Sequence, residues 1–269
     1  MMYKIRQRYR YSVILLREIV RTDFKIRYQN SILGYVWSLL RPLLLFIILY
    51  FVFTKFLKVG GNVPHYPVYL LLGLLFWNFF VEVTMGSVTA IVGKGDLLRK
   101  INFPKYVIIF AVLVGALINL SLTAVVVVIF MIVGHVAVSW HALLLIPLII
   151  ELIIIALTAA FFLSTAFVRF RDVSYIWDVI VQATFYATPI LYPLSRIPHS
   201  FAKFLILNPL AQVIQDARYV LITHSTQTIA TVYNGDRWIW AIPITITVIL
   251  GLLTSTYFRK RSKYFAEEV

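Results

Sequence analysis

The chain has 269 residues, of which 61% are hydrophobic and 13% charged, with a formal net charge of +14. A soluble domain carries roughly 45–50% apolar and about 25% charged residues, so this much apolar surface does not fit one water-facing core and points to lipid. The sequence contains no cysteine, which excludes disulfides, thiolate metal sites and cysteine nucleophiles. A strongly positive charge often marks nucleic-acid binding. Here the basic residues flank long apolar runs, where cytoplasmic retention of Lys and Arg accounts for them, so no nucleic-acid partner is expected.

The first forty or so residues carry charge throughout and lack a short apolar core with a cleavage site, so no cleavable signal is expected. Within them, 10–31 reads as an amphipathic helix. Val13, Leu16, Val20 and Phe24 recur at three- and four-residue spacing, and Arg17, Arg21 and Lys25 recur every four on another face. Such a helix lies in the cytoplasmic interface with its basic face towards lipid head groups. It is either an anchor alone or also a docking element for a cytoplasmic partner.

A spanning helix needs about 20 apolar residues. Six segments qualify: 37–57, 66–91, 105–134, 141–168, 175–191 and 238–258. The runs are too long and unbroken for the alternating strands of a membrane barrel, so the expected class is an all-α membrane protein of six transmembrane helices. A further stretch, 198–222, holds Lys203, Asn208, Gln212, Gln215, Asp216 and Arg218. It reads as helices at the outer surface or half-inserted rather than as a span. With the N-terminus inside, the cytoplasmic pieces 1–41, 94–105, 169–172 and 259–269 hold 19 of the 25 Lys and Arg residues. The positive-inside bias therefore places both termini in the cytoplasm. Three parts are expected: an N-terminal cytoplasmic segment (1–36), one membrane domain (37–258) and a basic tail (259–269).

Two cytoplasmic turns stand out. Loop 94–105 reads KGDLLRKINFPK. Asp96 is placed to cap a short helix over 97–101, and Pro104 stops it before the third span. This knob has an apolar side (Leu97, Leu98, Ile101, Phe103) and basic residues Arg99 and Lys100. It is either a tight turn or a plug for another protein. Residues 169–172, RFRD, make a very short turn whose Arg169 and Arg171 lie within reach of Asp178 or the N-terminal helix.

Catalytic and cofactor patterns are missing. No glycine-rich loop ends in Lys-Ser or Lys-Thr, so ATP is not expected to bind by that device, and none of the five histidines has HExxH spacing. Glu82, Glu151 and Asp178 lie in or at the ends of spans, and an intramembrane acid is a functional candidate. Glu82 and Glu151 leave open an ion- or proton-coupled secondary transporter. Asn119 is among the few polar groups at hand to partner them. The aromatic residues say more. The first span carries Trp37, Phe46 and Tyr50, and the fifth carries Tyr175, Gln182, Phe185 and Tyr186 beside Asp178 and Pro189. Rings stack on the apolar faces of sugars and amides meet their hydroxyls, so these residues are candidates for a carbohydrate path. A packed helix interface is the plainer alternative.

Five segments resemble the permeases of polysaccharide-exporting ABC transporters, which move lipid-linked O-antigen, capsule or wall teichoic acid. They are FKIRYQNSILGYVWSLLRPLLL (24–45), LLRKINFPK (97–105), FRDV (170–173), TPILYPLSRIP (188–198) and LNPLAQVIQDAR (207–218), in that order over most of the chain. The resemblance implies a homodimer in the bacterial plasma (inner) membrane, paired with two copies of a separate ATP-binding subunit that holds ATP and Mg. It implies no cofactor in this chain. By the same resemblance, 97–103 is the coupling helix, 10–31 the interface helix and 198–222 external re-entrant helices. The first and fifth spans would line the path of the lipid-linked glycan. The basic inner surface of Arg17, Arg21, Lys25, Arg27 and Arg41 would attract the lipid phosphate.

Overall fold

Backbone groups in hydrocarbon must be satisfied within their own segment, and this chain meets that demand with helices. The computed structural model describes residues 2–28, 36–58, 63–101 and 103–268, without the side chains of 2–9, 27, 28, 36, 38, 39, 41 and 237. Among the described residues there is no strand. The chain is an all-α membrane protein.

In chain order, α1 is Met2–Tyr28, longer towards the N-terminus than the expected amphipathic stretch. Helix α2, Val36–Phe51, contains Pro42 and continues as a π-turn over Val52–Phe56. Helix α3 is Tyr66–Ala90, with a proline in its first turn, where a missing N–H costs nothing. The short α4, Gly95–Lys100, leads to α5, Tyr106–Val133. Helix α6, Leu145–Arg169, is preceded by a 3-10 turn over Trp140–Leu144. Then come α7, Val173–Ala187, α8, His199–Ile206, and α9, Pro209–Leu221. The four-residue α10, Ile229–Val232, precedes α11, Ala241–Arg261, and α12, Phe265–Glu268, follows it.

Among the described residues, four segments are long and apolar enough to cross a bilayer: Tyr66–Ala90, Tyr106–Val133, Trp140–Arg169 and Trp238–Arg261. The first and fifth expected spans differ from these. The first is a shorter apolar stretch, Pro42–Phe56, within a helix that changes pitch. The fifth stops early. Helix α7 has 15 residues, about 22 Å at 1.5 Å per residue. It ends because Thr188 precedes Pro189, whose ring disfavours the α region for the residue before it; Thr188 is extended at φ −84°, ψ 136°. Residues 188–191, expected in the helix, form a non-helical exit.

Helix α3 is the hub. Most of its residues are buried, and α2, α5, α6, α7 and α9 all pack on it. Helix α11 lies on α6, and α1 on α5. The far sides of α5, α6 and α11 expose apolar residues such as Ile129, Ile132, Ile146, Ile154 and Leu252, the expected surface of helices that face lipid. Along α1, Ile19 is buried and Leu16, Val20 and Phe24 are half-buried, while Arg17, Arg21 and Lys25 are exposed. Val13, expected on the apolar face, is exposed.

Leu152 of α6 is fully buried in the main core, whereas Ile154 faces outward. Leu152→Ala is expected to cost about 2–5 kcal/mol, the range for a buried Leu truncation, and Ile154→Ala far less. Thermal unfolding of the two purified variants in detergent checks the contrast.

Candidate functional site

The 94–105 knob is built where α3 runs out. A 3-10 turn over Val92–Lys94 carries the chain into α4. Lys94 Nζ reaches both carboxylate oxygens of Asp23 on α1, at 2.7 and 3.0 Å, which ties the N-terminal helix to this turn. Asp96 was expected at the cap. It lies inside the first turn instead, because the helix already begins at Gly95, and there its charge favours the helix N-terminus. The apolar side of the knob does not face outward. Leu98 and Phe103 are buried in the main core, and Leu97 packs against it. Burial of these side chains anchors the knob to its own chain. Arg99, Lys100 and Ile101 are left exposed. Lys105 sits 5.0 Å over the Phe103 ring, and burial pulls its amine below the usual lysine range.

The turn between α6 and α7 is also resolved by its rings. Arg169 lies over Phe170 and Arg171 over Phe167, each at 5.3 Å. Among the described residues no ion pair joins either arginine to Asp178 or to α1. Of the basic lipid-facing set, Arg17, Arg21 and Lys25 project from α1. The side chains of Arg27 and Arg41 lie outside the described residues.

The expected path residues fall into two groups. Phe46 is buried, edge-on to Phe130 at 5.4 Å and stacked with Tyr50 at 5.8 Å. The stack runs on from Tyr50 through Tyr66 to Tyr69. Trp37 stands apart and is exposed. On α7, Phe185 turns inward to Trp77 at 5.5 Å. Tyr175, Gln182 and Tyr186 turn outward; the two tyrosines are 74% and 69% exposed. With Val179 they form one stripe at helical spacing. Helix α7 buries no residue completely. Helices α2 and α7 both pack on α3, so one copy of the chain presents the two groups without merging them into one lining.

The 198–222 stretch is two helices joined at Asn208, whose side chain accepts the Leu210 N–H at 3.0 Å ahead of Pro209. Thirteen residues of α9 reach only about 20 Å, too short to span. Yet α9 is buried along most of its length, between α3, α6 and α11. Its Arg218 is completely buried. Arg218 donates to the carbonyls of Pro189 (2.6 Å), Ile190 (2.7 Å) and Tyr69 (3.1 Å) and to Gln215 Oε1 (3.2 Å). Its guanidinium lies 3.6 Å over the Tyr69 ring. Gly73 makes room, since a Cβ there would collide with the guanidinium. This cluster went unpredicted. Its one sequence signal is a polar set, Gln215, Asp216 and Arg218, too polar for the apolar run around it.

Two of the intramembrane acids, Glu82 and Glu151, face amides. Asn119 Nδ2 donates to Glu82 at 2.6 Å, the partner at hand in the sequence. Gln212 Nε2 donates to Asp216 at 2.5 Å, and Glu151 of α6 faces the same pair. Burial pushes the Asp216 carboxyl up to about 7, Gln212 opposes that shift, and Glu151 adds to it. Among the described residues no group of three potential metal-ligating side chains occurs.

The sequence profile of ABC-2 type transporters matches residues 14–222. The chain is 28% identical to the O-antigen export system permease protein RfbA of Myxococcus xanthus, over 98% of both chains. It is 32% identical to the protein of that name from Klebsiella pneumoniae, over 86% of this chain and 93% of that one. It is 25% identical to the polysialic acid transport protein KpsM of Escherichia coli, over 77% and 79%.

Two outcomes follow from the buried charges. Arg218→Met is expected to destabilise the protein by about 2–6 kcal/mol, at about 1–3 kcal/mol for each of the Pro189 and Ile190 carbonyls left without a donor, measured by thermal unfolding. For Asp216 the folded value lies above the ordinary 3.8, so folding disfavours the ionised form. Stability then falls as pH rises from about 4 towards 7 and levels off above that. Asp216→Asn removes this loss, and its thermal midpoint is expected to gain on wild type across that window.

Proposed function

The chain belongs to the ABC-2 type transporter family, and from that premise we propose that it is the membrane subunit of an ATP-driven exporter of lipid-linked polysaccharide. The observation that carries this reading is the α7 stripe. Tyr175, Gln182 and Tyr186 present rings and an amide on the outside of a lipid-immersed helix, a costly arrangement unless it meets protein or a polar solute. The relatives' names, O-antigen export and polysialic acid transport, support a glycan as that solute.

The chain lacks a phosphate loop, so ATP hydrolysis belongs to a separate ABC-type partner, present in two copies for a homodimer of this chain. A second copy would bring its own α2 and α7 to complete a path that one copy leaves open. The exposed Arg99, Lys100 and Ile101 of α4 are the surface offered to the ATP-binding partner. ATP-driven movement of α4 changes the packing of α3 and α5, between which it lies, and so changes the side to which the path opens. The basic face of α1 draws the phosphate of the lipid carrier to the cytoplasmic leaflet. In this reading the protein lies in the bacterial inner membrane with both termini cytoplasmic. The carrier driven by ions has less support, because Glu82 and Glu151 both face amides in helix packing.

Co-expression with an ABC-type ATP-binding subunit, and reconstitution with an undecaprenyl-pyrophosphate-linked glycan, tests the reading. Co-purification and hydrolysis stimulated by the glycan are expected. Solute movement by the lone chain on a proton gradient would overturn it. Tyr175→Ala with Tyr186→Ala is expected to lower glycan stimulation about tenfold, the loss of one to two kcal/mol of stacking, in a complex that still assembles. The cysteine-free chain also permits a topology test. A thiol at His224 is expected to react with an impermeant reagent on intact cells, and a thiol at Lys263 only after permeabilisation.

A further inference from the structure

Helix α11 does not end the ordered chain. After it, Tyr264 N–H donates to Arg261 O at 2.9 Å, and the backbone turns into α12. A basic run such as RKRSK needs no tertiary contact to hold its side of a membrane, so a free tail is the ordinary expectation. Phe265 departs from it: the side chain is completely buried in the main core. Its ring meets Phe258 edge-on at 5.6 Å, Phe258 meets Phe161 at 4.8 Å, and Phe161 meets Phe110 at 6.2 Å. This ladder crosses α12, α11, α6 and α5. Helix α12 also packs directly on α4.

Helix α4 has six residues, too few to hold a helix by its own hydrogen bonds. Its shape and tilt therefore come from what it packs on: the core under Leu98 and Phe103, and α12 at its side. We propose that α12 is a strut for α4, with Phe265 as the positioning residue that fixes how Arg99, Lys100 and Ile101 are presented to the ATP-binding partner. The strut rests on the reading of α4 as the coupling element. Its consequence is that the segment after the last span, far from α4 in sequence, belongs to the coupling apparatus. The neighbouring Tyr264, Glu267 and Glu268 are exposed and serve no part in the anchor.

The test has two readouts. A single cysteine at Lys100 in the cysteine-free full chain takes a spin label, and its mobility is read in the lone chain in nanodiscs. Phe265→Ala is expected to mobilise the label, Phe265→Leu to mobilise it less, and Tyr264→Ala to leave it unchanged. In the complex with the ATP-binding subunit, Phe265→Ala is expected to cut glycan-stimulated hydrolysis about tenfold, within the range of mutational effects on coupling. Phe265→Leu is expected to restore most of it. If the alanine variant does not accumulate, the leucine variant decides, since a label left as immobile as in wild type overturns the strut. An immobile label with Phe265→Ala overturns it equally. A mobilised label with unchanged stimulated hydrolysis keeps the strut as a local support and removes its role in coupling. A mobilised label in a chain that binds no ATP-binding subunit keeps the strut and sinks the exporter reading.

Discussion

A charged guanidinium without water is costly unless its donors are used, and one end of this helix bundle is arranged around satisfying one. Arg218 takes carbonyl oxygens from Pro189 and Ile190, which are free because α7 stops at Ala187. It takes a third from Tyr69 and lies on that residue's ring. The broken exit of α7 and the buried α9 thus solve each other's problem. Carbonyls with no helical partner meet a cation with no carboxylate. The TPILYP and QDAR segments, separate in sequence, are two halves of this one contact, and Gly73 is the space that admits it.

The same contact explains why a helix too short to span is nevertheless buried. Helix α9 enters the bundle beside α3 and α6 with Gln212, Gln215, Asp216 and Arg218 all inside. Lipid would reject those side chains; Tyr69 of α3 meets Gln215 and Arg218, and Glu151 of α6 faces Gln212. Helices α5, α6 and α11 bury aliphatic residues on one side and present others, such as Ile129, Ile154 and Leu252, on the side that hydrocarbon can accept.

At the other end of the bundle the chain anchors its knob rather than leaving it loose. Lys94 is held by Asp23, and Leu98 and Phe103 are sunk into the core. The apolar residues of the knob fix it to its own chain, and the surface left exposed is basic with one aliphatic residue, Ile101.

Hydropathy alone determined the class and the four long spans to within a few residues. These are local quantities: transfer free energy is summed over a run of some 20 residues, and each run carries its own sum. The proline at 189 was equally legible as a stop, yet the apolar run continuing past it suggested a longer helix. Whether an aromatic residue of the first or fifth expected span points inward, as Phe46 and Phe185 do, or outward, as Tyr175 and Tyr186 do, depends on which neighbours lie on each face. The burial of Leu98, the seat of Phe265 and the carbonyl cage of Arg218 join residues far apart in the chain, Tyr69 and Arg218 by 149 positions and α4 and α12 by more. No window of sequence contains both partners of such a contact, so only the tertiary structure decided them.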